Sequence, residues 1–238
     1  MLELSGPEKY SEIWGKESGQ LDANDVYEKL AALAPPGNTI EFGCGVGNGT
    51  AHLSRERKVL SFDNNKGLIA EARSRLSDAG IKHQIHECDF FNLSDQDKKL
   101  ISDFKPKVIS GWFIGSHGED ILKRTEEEPQ PIVKSKLYRE KIEDIIISNY
   151  VCVDTVDYIH LVSRGSLAEE YTEKDFLEAE KDDYDTYVFN QIGFEVVDVK
   201  CIEWAREGSE FLYGLVTNPN IAKGKSVPMI TSLIAKRI

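Results

Sequence analysis

Short runs rich in apolar and β-branched residues alternate along the chain with longer stretches in which apolar positions recur every three or four residues. The first rhythm suits buried strands and the second suits helices with one buried face. Strands are expected at Thr39–Phe42, Lys58–Asp63, Lys82–Asp89, Pro106–Gly115, Val156–Arg164, Phe194–Trp204 and Met229–Lys236. Tyr213–Thr217 is also strand-like. Helices are expected over one or two stretches within Met1–Gly37, then at Asn48–Arg57, Gly67–Ala79, Ile132–Asn149 and Thr172–Gln191. Punctuation agrees: Pro35-Pro36-Gly37 stops the first helical region, Gly80 closes the helix before it, and Thr172 with Asp175 opens the last one. The alternation points to an α/β domain, with residues 1–37 as a helical leader and 38–238 as the main unit.

The densest punctuation lies directly after the first strand. TIEFGCGVGNGT places Gly43, Gly45, Gly47 and Gly49 at every second position. Residues without a Cβ let the chain turn sharply and approach a ligand closely. The helix that follows aims its first amides at whatever sits in the turn. The dinucleotide fingerprint G-x-G-x-x-G fails in strict form, because Asn48 stands sixth from Gly43. This weakens a nicotinamide oxidoreductase. A phosphate-binding loop would need Lys and Ser or Thr after the turn, and they are absent. What does fit is an acid followed by G-x-G-x-G: Glu41, Gly43, Gly45 and Gly47. This resembles the first motif of the class I S-adenosylmethionine-dependent methyltransferases.

Downstream residues extend the resemblance. Asp63 closes the second strand 20 residues after Gly43, where a carboxylate, with two acceptor oxygens, suits a ribose diol. It competes there with a role as helix cap, as do Asn64 and Asn65. The resemblance implies that Asp89 and Phe90, after the third strand, read the adenine. It also implies contacts to the cofactor, S-adenosyl-L-methionine, from Glu41, Cys44, Asn48, Asn64, Gly111 and Trp112. Tyr10 and Trp14 become either core-packing residues of a surface helix or a lid over the cofactor. The order of elements matches the family's seven-stranded sheet, mostly parallel with helices on both faces and the last strand antiparallel, over about Asn38–Ile238.

Beyond the fourth strand, Gly115-Ser116-His117-Gly118 is where an acceptor would meet the cofactor. His117 is the candidate base there, since imidazole titrates near neutral pH; a plain loop histidine is the alternative. His160 sits among apolar neighbours and reads as a core residue. His83 and His86 fall on opposite faces of their strand, and no metal site is expected. Composition narrows the partners. The 238 residues carry a formal net charge of −12, which argues against a nucleic-acid backbone, and no apolar run of ~20 residues spans a bilayer. Cys44, Cys88, Cys152 and Cys201 are scattered, and the N-terminus lacks an apolar signal core, so a cytoplasmic protein with reduced thiols is expected. The expectation is methyl transfer to a small-molecule oxygen or nitrogen. The rivals are a regulatory nucleotide-binding module on the same fold, or a protein methyltransferase.

Overall fold

Strands β1 (Thr39–Phe42), β2 (Val59–Asp63) and β4 (Val108–Trp112) are buried at every position, which is why their sequences do not alternate. The computed structural model describes residues 6–168, 172–207, 209 and 226–238. Within them, β3 (Gln84–Glu87), β5 (Tyr158–Ala168), β6 (Phe194–Glu203) and β7 (Ser226–Arg237) complete a seven-stranded sheet in the order β3-β2-β1-β4-β5-β7-β6. The first five strands pair in parallel, while β7 runs antiparallel to both β5 and β6. The expected α/β architecture with an antiparallel final strand is the one observed. The strand-like stretch Tyr213–Thr217 and the loop expected at Asn218–Lys225 lie outside the described residues.

Helices cover both faces. Helices α1 (Pro7–Ala23), α2 (Val26–Leu33), α3 (Asn48–Leu53) and α4 (Lys66–Asp78) pack near one another. With Trp112, Val162 and Ile230 of the sheet, residues such as Trp14, Leu30, Leu53 and Leu68 build one apolar cluster. A larger cluster gathers Phe42, Phe62, Ile109 and Leu161 of the sheet with Ile101 of α5 (Asp95–Phe104) and Ile142 and Ile146 of α7 (Pro131–Ile146). Helix α6 (Gly118–Arg124) follows β4, and α8 (Glu173–Tyr184) precedes β6.

Several boundaries differ from expectation. Helix α3 ends at Leu53, short of Arg57, whose guanidinium instead donates to the Ala34 and Pro35 carbonyls. Strand β3 is only four residues long, so His83 precedes it; His86 within it pairs with Asp97 at 2.6 Å. The last helix stops at Tyr184 and continues as a wider turn over Asp185–Phe189 and a tight one over Asn190–Ile192. Thr172 caps its start, accepting from the Asp175 amide, and Gly193, with φ of 73°, ends the segment. His160 is a core residue, as its neighbours suggest. Trp112 Nε1 donates to its Nδ1 at 3.2 Å, leaving Nε2–H to donate to Ser232 Oγ at 2.9 Å. Burial lowers its pKa to about 3, so it stays neutral.

Candidate functional site

The turn after β1 is held by backbone first. The Gly43 amide donates to the Phe62 carbonyl at 2.8 Å, and the Gly47 amide to the Cys44 carbonyl at 2.9 Å. Gly45 has a φ of 53°, and a Cβ there would lie 2.5 Å from Trp14 Nε1, so only glycine lets α1 lie on the turn. At Gly43, φ is 80° and a Cβ would meet nothing within 4 Å. That side of the turn opens on a cavity.

Asp63, at the carboxyl end of β2, fastens this turn to the next helix. Its Oδ2 accepts from the Gly45 amide and its Oδ1 from the Asn65 amide, each at 2.9 Å, with the residue 6% exposed. Burial raises its pKa while the amides pull the other way. Asn65 is the true cap of α4, accepting from the amides of Gly67 and Leu68. Ser11 Oγ donates to the same Asn65 oxygen, and Asn65 Nδ2 donates to the Pro7 carbonyl, so α1 is tied to the site at its first turn.

A cavity of about 40 Å³ lies between these elements. Tyr10, Trp14, Gly43, Gly45, Asp63, Asn64, Phe90 and Trp112 line it, which brings together eight residues named from sequence. Gly115 and Ser116, from the stretch where an acceptor was expected, line it too; so do Asn65, Leu68, Phe113, Ile114 and Tyr138, which sequence reasoning missed as site residues. Phe113 has a φ of 56°, a strained conformation for a bulky side chain, at the carboxyl end of β4 where such strain gathers near sites. Nothing in its sequence signals that, since a glycine would be the ordinary choice. Tyr138 donates to Asp120 Oδ2 at 2.8 Å, and burial raises its pKa. Arg164 stacks over Trp14 at 4.9 Å and over Phe113 at 5.6 Å, buttressing the aromatic wall from β5.

Other expected site residues sit elsewhere. Glu41 is buried behind the turn, its Oε2 accepting from Thr50 and Ser61 hydroxyls at 2.6 Å each; burial pushes its pKa up to about 7. Cys44 is buried, and burial beside Asp63 keeps its thiol protonated. Gly47 packs against Ala72 of α4. Asn48 donates to the carbonyl and hydroxyl of Ser18, so it binds α1 instead of a ligand. Gly111 lines a different cleft. Asp89, next to Phe90, does not line the cavity: its Oδ2 pairs with Arg124 Nη2 at 2.5 Å and its Oδ1 accepts from the Phe91 amide. His117 is placed apart from it as well. Its Nδ1 accepts from the Asp120 amide at 3.4 Å as the cap of α6, and it does not line the cavity. Among the described residues no group of three or more His, Cys, Asp or Glu is placed to hold a metal ion.

Residues 40–101 match the sequence profile of the methyltransferase domain family. The likeness to that family covers about a quarter of the chain. The matched segment runs from β1 through most of α5 and contains the turn, Asp63 and Phe90. No curated protein matches the sequence. Among solved structures, magnesium protoporphyrin IX methyltransferase from Synechocystis is 14% identical, with 96% of this chain and 84% of that one covered at a TM-score of 0.48. TYW2 from M. jannaschii is 10% identical over 90% and 75%, at 0.49. Precorrin-6y C5,15-methyltransferase from Geobacter metallireducens is 12% identical over 90% and 87%, at 0.48. None reaches a TM-score of 0.5, so none bears on the acceptor. The methyl donor of class I methyltransferase domains is S-adenosylmethionine. The open side of Gly43 leaves room for a ligand against the turn. No helix among the described residues is long and apolar enough to cross a membrane.

Proposed function

We propose that the protein transfers a methyl group from S-adenosylmethionine to a small-molecule acceptor bound beyond the carboxyl end of β4. The observation that carries this reading is the convergence of Gly43, Gly45, Asp63 and Phe90 on one cavity at the carboxyl ends of β1, β2 and β3, inside the matched segment. Asp63 accepts from the ribose hydroxyls, Phe90 and Leu68 give the apolar surface for the base, and the turn amides lie beside the donor's tail. The donor supplies an activated methyl on sulfonium, so positioning does most of the work. The cavity of about 40 Å³ is far below the ~300 Å³ at which ligand pockets begin. Trp14 and Tyr10 fill the difference, so α1 acts as a lid that moves outward to admit the donor and returns to exclude water.

Titration calorimetry with S-adenosylhomocysteine, together with radiolabelled methyl transfer to a panel of small amines and alcohols, tests the reading. Binding with turnover on one class supports it. Binding without turnover on any small molecule or protein favours the regulatory module, and no binding overturns the assignment of the cavity.

A further inference from the structure

Beside the donor cavity lies a smaller cleft of about 10 Å³, enough for one water-sized group. Gly111, Ile114, Leu161 and Leu233 give it apolar walls, and Glu143 of α7 enters it. Ile114 lines both spaces, and neighbours in sequence divide between them: Trp112 and Ile142 face the donor cavity, while Gly111 and Glu143 face the cleft. The two spaces adjoin at Ile114: a Cβ on Gly111 would lie 2.8 Å from Ile114 Cδ1, so this side chain rests on the glycine where they meet.

Glu143 is 8% exposed, yet only half satisfied. Its Oε1 accepts from Tyr184 Oη at 3.2 Å and lies 3.5 Å from Arg139 Nε. Its Oε2 takes no hydrogen bond from any described residue. Oε2 is not sealed from solvent, so it is open to an N–H or O–H from outside the chain. Glu180 lines the same cleft against a single cation, Arg139, so the lining favours a positive guest.

Building on methyl transfer as the activity, we propose that this cleft receives the amino group of the acceptor, with Glu143 Oε2 as its proton acceptor. The ammonium gives one proton to Glu143 and becomes an amine with a free lone pair. That pair forms the new C–N bond, the C–S bond breaks with its electrons left on sulfur, and the methylated ammonium departs. Glu143 then returns its proton to water. Burial is the largest influence on this carboxyl and pushes it up to about 7, so it is poised to exchange a proton near neutrality. Arg139 opposes that rise, as does the Tyr184 hydroxyl; Glu140 and Asp144 on the same helix reinforce it, and Glu180 faces it from α8.

The test uses the full chain saturated with S-adenosylhomocysteine, methyl-labelled at Ile and Leu, and titrated by NMR with ethylammonium chloride or with ethanol. Ethylammonium should shift Ile114, Leu161 and Leu233 saturably, and ethanol should not. Glu143→Gln should weaken the ammonium by ~10-fold or more, since one hydrogen bond to a charged group is worth about 1.5–3 kcal/mol. The unmutated protein gives a check that needs no variant: ammonium binding should strengthen from about pH 5 to about pH 8 as Glu143 ionises. Equal response to ethanol, indifference to pH, or an unchanged Glu143→Gln variant overturns the proposal. Ammonium silence in protein that still binds S-adenosylhomocysteine overturns this inference alone, whereas failure of the nucleoside to bind overturns the donor site beneath it.

Discussion

Asp63→Asn is the most informative single change, because each carboxylate oxygen holds a different segment. Oδ2 holds the glycine turn through the Gly45 amide, and Oδ1 holds the start of α4 through the Asn65 amide. Asparagine keeps one oxygen and turns the other into an NH₂ group, which faces a backbone N–H that also donates. One hydrogen bond to a charged group is lost, worth about 1.5–3 kcal/mol, and a buried donor is left unpaired at about 1–3 kcal/mol more. Against this, the buried charge is removed, and its raised pKa says that burial already outweighs what the amides return. The expected net loss is about 2–4 kcal/mol, a large part of the ~5–15 kcal/mol of a typical domain. Urea denaturation followed by tryptophan fluorescence reads it as a lower midpoint at constant slope. Calorimetry below the transition should show S-adenosylhomocysteine binding ~10-fold weaker or more. A loss under about 1 kcal/mol with unchanged affinity would refute the view that Asp63 both fastens the turn and meets the ligand.

Four further changes separate site from scaffold. Gly45→Ala places a Cβ 2.5 Å from Trp14 Nε1 in a left-handed backbone, so α1 should lift, seen as red-shifted tryptophan emission and faster proteolysis within residues 7–23; unaltered emission would oppose this. Glu41 has its folded pKa raised from 4.5 to about 7, so its stabilising contribution is full below about pH 4.5 and lost as pH rises through about 7. At about 1.4 kcal/mol per tenfold change in proton affinity this is about 3 kcal/mol; Glu41→Gln should flatten that part of the stability–pH curve measured by denaturation, while the similar dependence from Glu143 remains. Asp89→Ala and His117→Ala should leave S-adenosylhomocysteine affinity within ~3-fold by calorimetry, because the first breaks an ion pair with Arg124 and the second removes a helix cap worth about 0.5–2 kcal/mol.

The sheet was legible because its central strands are buried on both faces and leave unbroken apolar runs, while glycine and proline mark their ends. The turn after β1 and Asp63 were legible because backbone constraints demand particular residues there. Asp89 and His117 were harder to place for a shared reason. Each stands at a chain position where a ligand contact is plausible, but an acid at Asp89 also serves a turn and an ion pair with Arg124, 35 residues away. No local pattern reveals a partner that distant. Phe113 and Glu143 were invisible on the same grounds: one is a strained aromatic, the other a buried acid within a charged helix, and only tertiary packing distinguishes them from their neighbours.

The position of β7 has a consequence for synthesis. Among the described residues, strand β6 has β7 as its one neighbour in the sheet, and β7 is translated after it. While a ribosome is still making Ser226–Arg237, β5 and β6 lack the pairing with β7 that they have among the described residues. The nascent chain can form β1 to β5 with their helices, but it carries an unpaired strand whose mate has yet to emerge. Bare edges of this kind recruit other chains. The hazard in producing this protein is therefore late and brief, concentrated in the moments before β7 slides between two waiting strands, and slower translation through that stretch would lengthen it.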